Sequence, residues 1–73
     1  MKAKIVEQLN TEFELENVKY IGLIYKNKEY DIYISQAEND YIEFLHSNSL
    51  NMKKGDSFVL GNSFNKIAKM EVL

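Results

Sequence analysis

Residues 20–34 read YIGLIYKNKEYDIYI, which is two short apolar runs on either side of a polar tetrapeptide. Aromatic and β-branched side chains favour strands, and the intervening Lys26-Asn27-Lys28-Glu29 is typical of a tight turn. Asn at the turn tolerates the left-handed backbone conformation that two-residue hairpin loops need. The stretch therefore predicts an antiparallel hairpin, and the rest of the fold must be built around it.

The register of this hairpin follows from the position of the turn. A two-residue turn at Asn27-Lys28 pairs Lys26 with Glu29. Further along, it predicts these pairs: Tyr25 with Tyr30, Leu23 with Ile32, and Ile21 with Ile34. All of them lie on one face, which is wholly apolar, as a buried sheet face should be. On the other face, this register places Gly22 beside Tyr33.

Two further strands are predicted before the hairpin. Residues 4–9 favour a strand, and residues 11–16 (TEFELE) alternate strictly between polar and apolar types. If Glu16-Asn17 is a turn, Phe13 and Leu15 lie on the second face of the hairpin. If the chain runs straight through Asn17, they join the first face, and the sequence leaves both alternatives open.

A helix is predicted after the hairpin, over residues 35–48. Ser35-Gln36-Ala37-Glu38 has the pattern of a capping box, in which the Ser and Glu side chains satisfy free backbone amides. The residues that follow the helical stripe i, i+4, i+7, i+8 are Ala37, Tyr41, Phe44 and Leu45. The alternative is a strand over residues 41–45 that belongs to a small barrel.

The remaining elements complete the prediction. Two strands follow, over 57–60 and 66–73, each introduced by a turn that contains Gly. The predicted fold is α+β, with a small antiparallel sheet of four to six strands and one covering helix in the order β-β-β-β-α-β-β. The alternative is a small SH3/OB-like β-barrel. With 73 residues, the chain is expected to form one domain, 1–73.

Composition excludes several chemistries. The chain has no Cys, so it lacks thiolate metal sites, disulfides and a Cys nucleophile. All nine basic residues are Lys, so no Arg can grip a phosphate or a guanine edge with two hydrogen bonds. About half of the residues are Phe, Tyr, Met, Ile, Asn or Lys, which have A/T-rich codons. This bias indicates a low-GC bacterium, its phage or another mobile element.

Charge is uneven along the chain. The net charge is −2, yet residues 7–43 carry nine acidic side chains against three lysines, and the flanking segments are basic. No apolar run approaches the ~20 residues of a membrane span, and no secretory signal follows Met1. We therefore expect a cytoplasmic protein without a membrane partner.

Catalytic and metal sites find little support in the sequence. His46 is the only His, and Glu43-Phe44-Leu45-His46 would need a second copy and further carboxylates to hold a di-iron centre. His46 next to Ser47 does not make a triad, because sequence neighbours rarely reach that geometry. The prediction is no enzyme, with no catalytic residue, no metal site and no cofactor.

Binding is the predicted function. We expect the chain to be a small regulator or inhibitor that binds another protein and is encoded by a phage or another mobile element. The expected partner has a basic surface. A homodimer is also possible. The candidate partner-binding residues are Glu12, Glu14, Glu16, Tyr20 and Tyr33. A nucleic-acid-binding small barrel is the alternative function, since sheet Tyr can stack bases. The excess of acidic residues over positions 7–43 and the absence of Arg argue against a nucleic-acid partner.

Overall fold

Six antiparallel strands account for the regular structure of the described residues. The structure is a computed structural model and describes residues 1–16, 18–38, 40–45 and 50–73. The strands are β1 (Lys2–Gln8), β2 (Tyr20–Tyr25), β3 (Lys28–Ala37), β4 (Tyr41–Phe44), β5 (Ser57–Gly61) and β6 (Lys66–Val72). No helix occurs within those ranges.

The strands close into a barrel in the order β1-β4-β3-β2-β5-β6, and β6 pairs with β1 to complete it. The predicted α+β fold with a covering helix is therefore wrong, and the small-barrel alternative agrees with the structure. Each of the six strands in the described ranges has a neighbour on both sides, which removes the usual route to edge-to-edge aggregation.

The interior is filled by the apolar side chains that alternate along each strand. The largest completely buried ones are Leu23, Ile32, Ile42, Leu60 and Met70. They come from five different strands, so the core depends on contacts that are distant in sequence. No polar or charged residue among those described is buried, so the core is held by apolar packing alone.

The predicted helix is replaced by the end of β3, a turn and β4. The predicted helix and the observed strand bury different residues. The predicted helical stripe includes Leu45 and does not include Ile42. In the structure, Ile42 is completely buried and Leu45 is 57% exposed. The Ser35 hydroxyl does not cap a helix; it donates to the Glu43 carbonyl oxygen at 3.0 Å, across the β3–β4 pair.

Barrel closure explains why the strand is formed. β4 is the only element that joins β3 to β1 in the described barrel, through pairs such as Ala3 with Ile42 and Ile34 with Phe44. A helix here would leave the backbone amides and carbonyls of β1 and β3 without partners. Long-range pairing therefore outweighs the local capping signal. The predicted C-terminal part of the helix, residues 46–48, lies outside the described residues.

The hairpin forms, but its predicted register is wrong by two residues. The turn is Lys26-Asn27, with φ of 51° and 63°, and the pairs are Tyr25 with Lys28 and Leu23 with Tyr30. Both turn residues are left-handed, as a type I′ turn requires. Because a shift of two keeps every side chain on its predicted face, the apolar face still points into the barrel. Gly22 lies opposite Asp31, not beside Tyr33.

The alternating segment before the hairpin is not a strand. Residues 11–16 form turns and irregular backbone across one end of the barrel. Their alternation is nevertheless visible in burial, because Phe13 is half-buried and Leu15 is buried in the core while the Glu residues between them are exposed. Phe13 and Leu15 therefore cover the end of the barrel and do not pair with β2. The predicted turn at Glu16-Asn17 falls partly outside the described residues.

Candidate functional site

Tyr20 and Tyr33 are brought together on the outer surface of the barrel. They are directly opposite each other on β2 and β3, with ring centroids 4.9 Å apart in an edge-to-face arrangement. Leu45 lies opposite Tyr33 on the other side, where its amide donates to the Tyr33 carbonyl oxygen at 2.9 Å. The three side chains are 50%, 58% and 57% exposed. We call Tyr20, Tyr33 and Leu45 the tyrosine row.

The hydroxyl of Tyr20 is engaged by a neighbouring carboxylate. A hydrogen bond to Asp31 and, to a lesser degree, partial desolvation raise the pKa of Tyr20 to about 12. Asp31 lies on β3, opposite Gly22, where no side chain separates it from Tyr20. The phenol thus lies close to a carboxylate, and its ring packs against that of Tyr33. A fixed aromatic ring on a rigid strand loses little conformational entropy on binding.

The predicted glutamates lie elsewhere. Glu14 and Glu16 border a pocket of about 270 Å³ at the end of the barrel, together with Glu38 from the β3–β4 turn. The backbone amide of Glu12 donates to the Asn10 side-chain oxygen at 3.1 Å, outside that pocket. The five predicted residues therefore fall into two groups, a tyrosine pair on the barrel wall and glutamates at one end, and they do not line one site.

The charges of the chain separate between the two ends of the barrel. One end holds the β1–β2 segment, the β3–β4 turn and the β5–β6 turn, and we call it the acidic end. Its carboxylates are Glu12, Glu14, Glu16, Glu38 and Asp40, and it also holds Lys19. The other end holds the β2–β3 turn and the β4–β5 segment, and we call it the basic end. Its lysines are Lys26, Lys53, Lys54 and, at the start of β3, Lys28, and it also holds Asp56. Folding thus places five of the nine acidic side chains of residues 7–43 at one end of the barrel.

Phe64, which no pattern in the sequence singled out, lies in the β5–β6 turn and is 100% exposed. The turn is held by Asn62, whose side-chain oxygen accepts from the amides of Phe64 at 2.9 Å and Asn65 at 2.8 Å. Ser63 binds the Glu29 carboxylate through both its amide and its hydroxyl, and these bonds lower the pKa of Glu29. The signal in the sequence was an aromatic residue between turn formers.

The described residues were also searched for a metal-binding cluster and for a membrane-spanning helix. Within the described ranges, no group of three or more His, Asp or Glu side chains could hold a metal ion. His46, the single His of the sequence, lies outside those ranges. The part of the chain that the structure describes contains no helix that could span a membrane.

Asp56 organises the basic end. Its carboxylate accepts from the Lys53 amide at 2.9 Å and from the Tyr25 hydroxyl at 2.8 Å. These two hydrogen bonds, with a smaller contribution from the charges of Lys26 and Lys53, lower the pKa of Asp56. The carboxylate thus joins the loop before β5 to the last residue of β2, and it brings lysines from both segments together.

We expect Asp56→Asn to destabilise the barrel near neutral pH and to have a smaller effect in acid. A carboxyl whose pKa is lower in the folded state stabilises the fold above its unfolded pKa, about 3.9, and this stabilisation is lost as the pH falls through the folded pKa. Urea titrations of both proteins at about pH 7 and at about pH 2 measure the difference. Asp40→Asn, at the acidic end, is the control. An equal difference at both pH values would contradict the assignment.

Comparisons with known proteins do not supply a function. The chain matches no protein-family model, no curated protein and no solved structure. The exposed side chains and the charge distribution of the barrel are therefore the basis on which we propose one.

Proposed function

We propose that this chain is a non-enzymatic binding module that recognises a protein partner through the tyrosine row. The observation that carries the proposal is the exposed Tyr20–Tyr33 ring pair on adjacent strands, with exposed Leu45 bound to Tyr33 through the backbone. Burying such side chains is the main favourable term in protein association. A cytoplasmic location and an origin in a phage or mobile element of a low-GC bacterium remain predictions.

The chemistry of the row favours a protein partner. Tyr is enriched in protein interfaces because it combines apolar area with a polar tip and has few rotamers to lose. Tyr20 and Tyr33 already contact each other, so part of the cost of ordering their rings is met before binding. Leu45, directly after β4, adds a third exposed apolar side chain next to Tyr33 in the backbone pairing. The expected partner presents an apolar pocket with a hydrogen-bond group for a phenol.

Single-stranded nucleic acid is the second candidate, and the corrected fold favours it. Small closed barrels can present aromatic rings on which bases stack, and the Tyr20–Tyr33 pair is such a surface. The charges argue against it. Asp31 lies near the Tyr20 hydroxyl and would repel a phosphate, and four of the nine lysines lie at the basic end, although Lys19 directly precedes Tyr20. We expect a dissociation constant weaker than roughly 10⁻⁵ M for generic oligonucleotides at physiological salt.

The decisive variant is the double substitution Tyr20→Thr and Tyr33→Thr, because Thr keeps strand propensity while it removes both rings. Leu73→Thr, which removes an exposed apolar side chain outside the row, is the matched control. Wild type and both variants serve as baits in a low-GC bacterial lysate, and a captured protein is then purified. We expect the double variant to bind that protein at least about 30-fold more weakly, as the loss of an interface hot spot does.

Two results would contradict the proposal. One is a purified partner that binds the double variant as tightly as it binds wild type. The other is tight oligonucleotide binding in an anisotropy titration, with an affinity that falls steeply between about 50 mM and 200 mM salt. That second result would favour the nucleic-acid candidate if the double variant also abolished it.

A further inference from the structure

The seam between β2 and β5 is paired over only part of β2. β3 pairs with every residue of β2, whereas β5 pairs only with Leu23 and Ile24. Towards the start of β2, the opposing chain leaves the sheet at Gly61, where the register of β5 against β6 is interrupted and φ is 115°. In the part of the chain that the structure describes, Tyr20 therefore has a paired strand on one side only.

The main chain of Tyr20 points into this gap. In an antiparallel strand, the amide and carbonyl of successive residues point to alternate sides. The Lys19 carbonyl oxygen accepts from the Ile34 amide at 2.8 Å, on the β3 side, so the amide and carbonyl of Tyr20 point away from β3. The Tyr33 carbonyl oxygen points away from β2 and accepts from the Leu45 amide, as the same alternation requires. No backbone group among the described residues bonds the amide or carbonyl of Tyr20.

A cleft of about 420 Å³ occupies the gap. Its lining includes Tyr20 and Gly22 of β2, Asn62 and Asn65 of the β5–β6 turn, and Phe13 of the β1–β2 segment. Because Tyr20 lines the cleft and also belongs to the tyrosine row, the two surfaces are continuous. An unpaired stretch of strand beside an open cleft is a template for another extended chain.

The groups in the cleft select a peptide over a nucleic acid. An amide and a carbonyl on one strand edge need an acceptor and a donor at matching spacing, and a second extended backbone supplies both. A phosphate supplies acceptors alone and leaves the Tyr20 carbonyl without a donor. The charged side chains that line the cleft are those of Glu29 and Asp31, which would repel a phosphate.

We infer that an extended segment of the protein partner adds to β2 as a short antiparallel strand and exchanges two main-chain hydrogen bonds with Tyr20. This inference rests on the proposed function and specifies the form in which the partner binds. The partner residue opposite Tyr20 places its side chain on the outer surface, where it extends the tyrosine row by one position. The segment therefore needs an apolar residue at that position, and the main-chain bonds fix its register.

Amide hydrogen exchange on the free chain tests the strand edge itself. We expect the Tyr20 amide to exchange within about tenfold of the rate of an unstructured peptide, because it has no partner. The Ile24 amide points to the same side of β2 but meets Val59, so it should exchange at least about 100-fold more slowly. Equal protection of the two amides would overturn the inference. Protection of Tyr20 that rises with protein concentration would also overturn it, because a second copy would then occupy the edge.

The decisive variant changes the main chain of Tyr20 and keeps its ring. Replacing Tyr20 by its α-hydroxy acid analogue puts an ester oxygen in place of the N–H. The same replacement at Ile24 is the matched control, because the carbonyl weakened by each ester faces β3 and only the Ile24 N–H meets β5. We expect the Tyr20 ester protein to have a higher urea midpoint than the Ile24 ester protein, since it loses no native hydrogen bond from the N–H.

A phage-displayed library of random linear peptides, selected on the immobilised wild-type chain, supplies the probe. We expect enriched peptides to protect the Tyr20 amide from exchange. They should bind the Tyr20 ester protein roughly tenfold more weakly than wild type, as the loss of one main-chain hydrogen bond does. A selection that enriches no peptide, or peptides that leave the Tyr20 amide unprotected, would contradict the added strand.

The ester protein and the ring variant separate this inference from the proposed function. Peptides that bind the Tyr20 ester protein as tightly as wild type, but not the protein with Tyr20→Thr and Tyr33→Thr, support the tyrosine row and overturn the added strand. Peptides that bind this double variant as tightly as wild type, but bind the ester protein weakly, support the added strand and contradict the proposed function.

Discussion

Phe44→Ala is expected to lower the free energy of unfolding by about 3–5 kcal/mol, as the removal of a buried ring does. Phe44 is 2% exposed, and its ring meets that of Phe58 edge to face at a centroid distance of 5.7 Å. The change leaves a cavity between β4 and β5, on opposite sides of the barrel order. In a domain this small, a loss of that size leaves little folded protein.

Urea titration followed by circular dichroism measures the effect, and Phe44→Leu provides a milder variant if Phe44→Ala is unfolded. Leu45→Ala is the matched control, since it truncates the next residue outside the core and should change stability by only about 0.5 kcal/mol. The sequence analysis expects Phe44 to be buried beneath a helix, whereas the structure buries it from a strand. A loss below about 1 kcal/mol for Phe44→Ala would contradict the burial itself.

Gly61→Ala is expected to destabilise the barrel more than Gly55→Ala. Both glycines have positive φ, 115° at Gly61 and 90° at Gly55, which costs other residues about 1–3 kcal/mol. At Gly55, an added methyl group meets nothing within 4 Å. At Gly61, it overlaps the Asn65 carbonyl oxygen across the β5–β6 turn, and this adds roughly 1–3 kcal/mol of overpacking.

The pair of variants isolates the steric part of the effect, because backbone strain is common to both. Thermal and urea denaturation of the two proteins give the difference directly. Complete loss of the cooperative transition in Gly61→Ala, with a folded Gly55→Ala, agrees with the prediction. Equal stabilities would contradict the prediction, since they would mean that the β5–β6 turn moves freely away from the barrel.

The candidate site could be predicted only in part. Tyr20 and Tyr33 stand out in the sequence as aromatic residues on the polar face of a hairpin, and the structure pairs them. Their binding role remains a prediction. Leu45 was assigned to the buried stripe of a helix, so its exposure became visible only with the strand. Phe64 lies between the predicted turn at Gly61-Asn62-Ser63 and the strand over 66–73, so it belongs to no predicted element.

Local sequence patterning is sufficient to identify the buried face of the hairpin. Alternation with a period of two places Ile21, Leu23 and Ile32 on one face in either register, and it distinguishes buried Leu15 from its exposed Glu neighbours even without a strand. The strands β5 and β6 follow from apolar runs between Gly-containing turns. These features depend on side chains only a few residues apart, so a local pattern is sufficient.

Tertiary structure alone decided the hairpin register and the fate of residues 35–45. A two-residue slip leaves the buried face unchanged, so hydrophobic patterning cannot detect it, and contacts such as Tyr25 with Asp56 lie far away in sequence. Capping and helical periodicity are local stabilisations of about a kcal/mol each. Forming β4 closes the barrel by satisfying the backbone of both β1 and β3 and by burying Ile42 and Phe44. The non-local gain is larger, and for that physical reason the segment becomes a strand.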